Sequence, residues 1–135
     1  MTEASEREYL EQMYANDKNL VLGIWHKADH KLVGVTGLHS IDHINQTAEF
    51  GITIGEADYW SQGLGTEAIT ILVGHAFGRL NLRHVFLRVL GNNPRGKRCY
   101  EKCGFVERGR YPKYIFKDGA WHDEVLMLVT NPQYA

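Results

Sequence analysis

Apolar and polar residues alternate along the chain with a period that changes several times, and each change marks an element. Tyr9, Leu10, Met13 and Tyr14 recur at i, i+1, i+4 and i+5 behind Ser5-Glu6-Arg7-Glu8, a capping-box sequence, and so predict a short helix with one apolar face. After the polar break Asn16-Asp17-Lys18-Asn19, the β-rich runs Leu20–His26 and 32–38, joined by 27–31, predict a hairpin, and 40–46 reads as a polar loop. Over Thr47–Ile54 the period is two, with Ala48, Phe50, Ile52 and Ile54 on one face and Glu49, Gly51 and Thr53 on the other. Helical spacing follows in Ala68, Ile69, Leu72, Val73, Ala76, Phe77 and Leu80, and then a nearly continuous apolar strand at 85–90. Strand, helix and strand in that order predict a parallel pair. Asn93-Pro94 reads as N-cap and first position of a short helix over 94–103, ended by Gly104. Two more strands, 113–116 and 124–129, flank the turn sequence Lys117-Asp118-Gly119.

The 135 residues suggest a single domain, 1–135, with an α/β mixed sheet. Fifteen Lys and Arg against sixteen Asp and Glu leave a net charge of −1, which argues against a broadly basic nucleic-acid surface. No apolar run approaches the ~18 residues of a membrane span. Two cysteines, Cys99 and Cys103, do not make a disulfide scaffold, and the expectation is a reduced, cytoplasmic setting.

The densest chemistry lies in 55–65 and the helix behind it. Small residues at a helix start admit a close ligand, and the free amides of the first turn point at an anion. Gly63, Gly65 and Ala68 match the dinucleotide pattern G-x-G-x-x-G/A, but eight residues separate Ile54 from Gly63, and no acidic residue follows the next strand at Gly91-Asn92. Residues 91–98 carry P-loop spacing, yet Arg98 stands where a magnesium-binding hydroxyl belongs and Pro94 lacks an amide.

A third solution is a pyrophosphate cradle for coenzyme A. Gln62-Gly63-Leu64-Gly65-Thr66-Glu67-Ala68 after Tyr59-Trp60, followed by Asn93 and Tyr100-Glu101-Lys102-Cys103-Gly104-Phe105, resembles the GNAT superfamily of N-acetyltransferases. The pattern is most similar to its ribosomal-protein alanine N-acetyltransferase type, which also shares the late stretch Phe116-Lys117-Asp118-Gly119 with Asp123 and Met127. The resemblance implies a GNAT-like mixed, mostly antiparallel sheet with a splayed central parallel strand pair and flanking helices. It implies acetyl transfer from acetyl-CoA, without metal, to a primary amine, by direct attack in a ternary complex. A non-catalytic coenzyme A binding module is the alternative. Two departures stand out: Trp60 replaces a usual Arg or Gln, and family members begin with a further strand and helix. The domain is therefore expected to be N-terminally short, with an exposed sheet edge that favours a homodimer.

By this resemblance, backbone groups of Ile52, Thr53 and Ile54 bind the pantetheine arm and acetyl carbonyl, and amides of Gln62, Gly63, Leu64, Gly65 and Thr66 hold the pyrophosphate. Asn93 caps its helix and also reaches the pantetheine. Lys97, with Arg95, Arg98 and Lys102, makes a basic face that is either solvated or meets the 3′-phosphate. Tyr100 is either a core aromatic or the general acid for the departing thiolate, a phenol of pKa about 10 against a thiol near ~8.5. Glu49 is a candidate base, or a solvated or substrate-orienting carboxylate. His39 and His43 with Asp42 lack a third ligand of metal-site spacing, and Cys99 and Cys103 lack the nearby His of an acyl-cysteine mechanism.

Overall fold

The computed structural model describes residues 8–55 and 64–134. They form strands β1 (Glu8–Ala15), β2 (Leu20–His26), β3 (Lys31–Asp42) and β4 (Thr47–Ile54), helix α1 (Leu64–Gly78), strand β5 (His84–Leu90), helix α2 (Pro94–Lys102), and strands β6 (Val106–Lys117) and β7 (Ala120–Thr130), closed by a 3-10 turn at Pro132–Tyr134. The strands make one sheet in the order β1-β2-β3-β4-β5-β7-β6. Every neighbouring pair is antiparallel except β4 and β5, the parallel pair that the strand–helix–strand pattern predicts. This is the mixed, mostly antiparallel α/β fold expected.

Register decides which face is core. Leu10 lies across from Ile24, Leu38 from Phe50, Ala48 from Val85, and Leu87 from Met127, and all eight are buried. Both helices pack on that face: α1 through Ile69, Leu72 and Ala76, and α2 through Tyr100. Burying each such Leu or Ile stabilises the fold by about 1.5–3 kcal/mol. The opposite face carries Glu49, Gly51, Thr53, Phe86, Arg88 and Glu124, with no described helix over it. No helix among the described residues is long and apolar enough to cross a membrane.

Three segments differ from the sequence reading. Residues 8–15 are strand β1, not a helix: Leu10 is buried opposite Ile24, while Tyr9 stacks on Trp25 across the other face, centroids 6.3 Å apart. A register shift between Gln12 and Tyr14 inserts Met13 as an extra residue, and this break in alternation imitates a helical stripe. Pairing with β2 supplies the backbone partners and outweighs a short local helix signal. Ser5, Glu6 and Arg7 of the capping box lie outside the described residues.

In 40–46, strand β3 continues to Asp42, and only the end is a turn. There Asp42 Oδ1 accepts hydrogen bonds from the Ile44 and Asn45 amides at 2.9 Å, which, with the Asn45 side chain, hold its carboxyl below the usual range. The strand expected at 113–116 starts earlier, so that 108–112 also belongs to β6. Register shifts at Glu107/Gly109 and Tyr111/Ile115 accommodate its Gly and Pro, and Asp123 ties it to β7 by accepting from Lys113 N at 2.9 Å and Arg110 Nη1 at 2.8 Å. The β6–β7 turn is as predicted, with Asp118 at φ +52° and Gly119 at φ +78°, the left-handed pair of a type I′ hairpin.

Two glycines separate sheet packing from helix propensity. A Cβ at Gly37 presses into the Leu20 carbonyl oxygen, whereas Gly74, exposed in the interior of α1, has open space around it. Urea denaturation of Gly37→Ala should show a loss of about 1–3 kcal/mol. Gly74→Ala should gain about 0.5–1 kcal/mol. A destabilised Gly74→Ala would contradict the placement of that position on an open helix face.

Candidate functional site

The parallel pair is short. Thr47, Ala48 and Glu49 pair with His84, Val85 and Phe86, and there the pairing stops. Strand β4 continues against β3 as far as Ile54, opposite Gly34, and β5 continues against β7 as far as Leu90, opposite Glu124. The sheet therefore forks, and each strand keeps one edge without a strand partner among the described residues.

On the helix side of this fork lies a cavity of about 690 Å³, within the ~300–1,000 Å³ of small-molecule sites. Ile52 and Ile54 of β4, Gly65 and Thr66 of the first turn of α1, Asn93 just before α2, and Cys99 and Tyr100 of α2 line it. Arg95, Arg98 and Lys102 bring three cations to its wall. Thr53, between the two isoleucines, is exposed on the opposite face. Gln62 and Gly63 lie outside the described residues. Leu64 opens α1, so the described part of the candidate cradle is the helix start at 64–66.

These residues fit a phosphorylated ligand. Among the described residues, a Cβ on Gly65 would meet only Cys99 Sγ at 3.6 Å, an ordinary contact. The bare backbone leaves room for a ligand against the helix N-terminus, where amides and dipole favour an anion. Thr66 Oγ1 lies 3.5 Å from Cys99 Sγ and joins the two helices across the cavity wall.

Tyr100 is packed in the core and also reaches the cavity. Its ring packs edge-on against Phe50 at 6.4 Å and Phe105 at 6.1 Å, and it also lines the cavity. Burial, with smaller contributions from Cys99 and Cys103, pushes its phenol up to about 12. Burial also raises the Cys103 thiol. Asn93 is the N-cap, its Oδ1 accepting from Gly96 N at 3.0 Å. That bond occupies an amide a P-loop would need, and so the 91–98 match carries no phosphate cradle of that kind. Gly104, at φ +97°, follows α2 as expected.

Lys97 does not line the cavity. Its Nζ lies 2.6 Å from Glu107 Oε1, and Arg110 joins the same carboxylate and Asp123. Lys97 and Arg110 hold the Glu107 carboxyl below its usual range.

Glu49 lies on the opposite face of the fork, at the last paired position of β4. Both its oxygens accept from Arg88, at 3.0 and 3.1 Å, so it is an ion-paired carboxylate rather than a solvated one. The pair and its charge raise the Arg88 guanidinium further. Two residues near it were not singled out as acid–base groups from sequence. His39 lies directly across from Glu49 on β3, its ring over Gly37 and Gly51, and Glu124 lies opposite Leu90. The available signal for Glu124 was a carboxylate opening an otherwise apolar strand run. His43 Nε2 lies 3.1 Å from the Asp17 carbonyl, and among the described residues no His, Cys, Asp and Glu group could hold a metal.

Comparison with known proteins agrees with this geometry. The profile of the acetyltransferase (GNAT) domain matches residues 1–106. Spermidine N(1)-acetyltransferase of Vibrio cholerae is 32% identical over 107 residues, 79% of this chain and 61% of that protein. The chain thus spans about three fifths of that relative's length. A crystal structure of spermidine N-acetyltransferase from Vibrio cholerae in complex with CoA and spermine is similar at TM-score 0.78 and 29% identity, over 87% of this chain and 69% of that one. A dodecameric structure from the same organism gives TM-score 0.79 at 28% identity, over 88% and 68%.

The raised Tyr100 phenol has a consequence for stability. The folded state keeps the proton that an unfolded tyrosine loses near 10.0. The stabilisation is thus fully present below that pH and is lost as pH rises through about 12. Denaturant titrations at rising alkaline pH should show this fall in the native protein and a shallower one in Tyr100→Phe. Parallel curves would place Tyr100 in water.

Proposed function

The chain belongs to the GNAT acetyltransferase family, and from that premise we propose that it transfers an acetyl group from acetyl-CoA to a primary amine by direct attack. The observation carrying the proposal is the cavity at the β4–β5 fork, which joins unpaired strand edge, helix N-terminus, three cations and Tyr100. Bound acetyl-CoA supplies a thioester-activated acetyl group. Backbone groups of Ile52, Thr53 and Ile54 orient its arm along the open edge of β4. Amides of Gln62, Gly63, Leu64, Gly65 and Thr66 hold the pyrophosphate, aided by the helix dipole. Asn93 shapes the far wall. Arg95, Arg98 and Lys102 face the cavity where Lys97 faces Glu107, and they are the cations suited to the 3′-phosphate.

Tyr100 holds, at Oη, the proton that a departing thiolate takes up. With its phenol near 12, it stays protonated through any working pH. The attacking amine must be neutral, so a group on the acceptor side has to take its proton. Glu49 does this through a water it positions, since both its oxygens already hold Arg88. The acceptor approaches from the face opposite the helices. Spermidine is the first candidate, from the relatives. The loop and late-strand motifs support an alternative acceptor, the N-terminal alanine of a ribosomal protein. The outer strands β1 and β6 of the sheet favour a homodimer through edge pairing.

Calorimetric titration should show selective binding of acetyl-CoA over ATP–magnesium and NAD. In an acetyl-transfer assay with spermidine and an alanine-initial peptide, Tyr100→Phe should lower kcat by about 10²-fold or more with acetyl-CoA affinity unchanged. Binding without turnover on any amine would make the chain a coenzyme A binding module. Undiminished turnover would remove Tyr100 from the reaction.

A further inference from the structure

On the face opposite the helices Glu49 is already committed: both its oxygens hold Arg88, and taking up a proton would break that pair. Glu124, on the same face, is 8% exposed and closed to an incoming ligand. His84 lies on the paired side of the fork, its Nδ1 3.0 Å from Thr130 Oγ1. A further titratable side chain stands beside the opening. His39 of β3 lies directly across from Glu49, the last residue of β4 paired to β5. Among the described residues its ring has no hydrogen bond or ion pair.

The ring leans along the sheet over Gly37 and Gly51, a cross-strand pair that lies further toward the open part of β4. Its Nε2 is 3.3 Å from the position of a Cβ on Gly37 and 3.5 Å from one on Gly51. Apart from its chain neighbours, a Cβ on Gly51 would meet only this ring among the described residues. The imidazole therefore borders open space above β4, where pairing to β5 has ceased. Adjacent strands lie about 4.8 Å apart, and from above Gly51 the ring reaches a nitrogen in the opening through one bridging water. Tyr100 packs edge-on against Phe50 from the helix side, so the phenol and the imidazole flank consecutive residues of β4 from opposite faces. The charged groups facing His39 are Glu49 on β4 and, beyond it, Arg88 on β5, while β2 places Val21 across from Gly37.

We infer that His39 is the base of the transfer, taking the proton of the acceptor ammonium through the water that Glu49 positions. This rests on the acetyltransferase reading and deepens it, because it gives that proton a destination other than an ion-paired carboxylate. An imidazole is the side chain suited to take up and release a proton near neutral pH. The ammonium proton passes to the water and on to the imidazole, and the freed lone pair forms the C–N bond to the acetyl carbon. The C–S bond breaks, and the sulfur takes its proton from Tyr100 Oη. The acetylated nitrogen gives its second proton to solvent, solvent reprotonates Tyr100, and His39 returns its own proton to solvent. A single proton is released for each acetyl group transferred.

The test uses the full chain with acetyl-CoA and two amines, spermidine and an alanine-initial peptide. At pH 7, His39→Gln should lower kcat by about 10²-fold, with acetyl-CoA affinity and melting temperature unchanged. The loss should shrink as pH rises through the acceptor's own ionisation, near about 8 for the peptide and about 10 for spermidine, since a neutral amine needs no base. Tyr100, with its phenol at about 12, keeps its proton across this range. Added imidazole should restore part of the rate in His39→Ala. Equal kcat in native protein and His39→Gln overturns the assignment. A loss that is the same at every pH and for both amines, and that imidazole does not relieve, makes His39 structural and equally overturns it, as does a lowered melting temperature with acetyl-CoA affinity lost. Failure of the native protein to bind acetyl-CoA, or to acetylate either amine, defeats the acetyltransferase reading and the role of His39 with it. Native turnover that the substitutions leave intact defeats the role of His39 alone.

Discussion

The early end of the β4–β5 pairing is the constraint on which the site depends. A buried backbone group must find a partner, and a sheet ordinarily provides one on both sides of an inner strand. Here β4 and β5 each keep their outer neighbour but lose one another after Glu49 and Phe86. The fork opens a gap in the middle of an otherwise continuous sheet, and a ligand with amide and carbonyl groups can take the place of the missing strand. The helices α1 and α2 follow from the same event, since each begins beyond the end of one forked strand and brings its first turn to the gap.

The fork also separates two chemistries by face. On the helix side, Ile52, Ile54 and Tyr100 meet cations and a helix N-terminus, an environment for an anionic, partly apolar ligand. On the other side, the Glu49–Arg88 ion pair lies beside a second cavity lined by Phe86, Arg88, Arg108 and Tyr111 among others. For the proposed transfer, the opening in the sheet is where a thioester on one face would meet an amine on the other. The raised phenol of Tyr100 belongs to the first side, where packing against Phe50 and Phe105 excludes water.

Charge pairs around the site orient elements more than they stabilise them. Lys97, Glu107, Arg110 and Asp123 link α2 to β6 and β7, but these side chains are exposed to water and salt, which screen the pairs, so they add little stability. Their use is geometric: with Lys97 turned toward β6, the other basic residues of α2 face the cavity. Stability comes instead from the buried layer beneath α1 and from the antiparallel ladders on either side of the fork.

By itself the sequence determined the elements whose residues carry a local physical preference. The two-residue alternation of Thr47–Ile54 admits only a strand with unlike faces, Asn93-Pro94 and Gly104 bracket a helix by capping chemistry, and Asp118-Gly119 suits a turn with two positive φ angles. The motifs of the proposed cofactor side could be read for the same reason, because they lie on contiguous residues beside those elements. Tertiary structure decided what local preference could not. Residues 8–15 became a strand because β2 offered an edge, and 108–112 stayed in β6 because Asp123, distant in sequence, holds their backbone. The direction of Lys97, the capture of Glu49 by Arg88 and the burial of Glu124 depend on strands that meet only when the sheet assembles. Charge pairing and burial are properties of neighbours, and the chain order of β4, β5 and β7 does not reveal which residues those neighbours are.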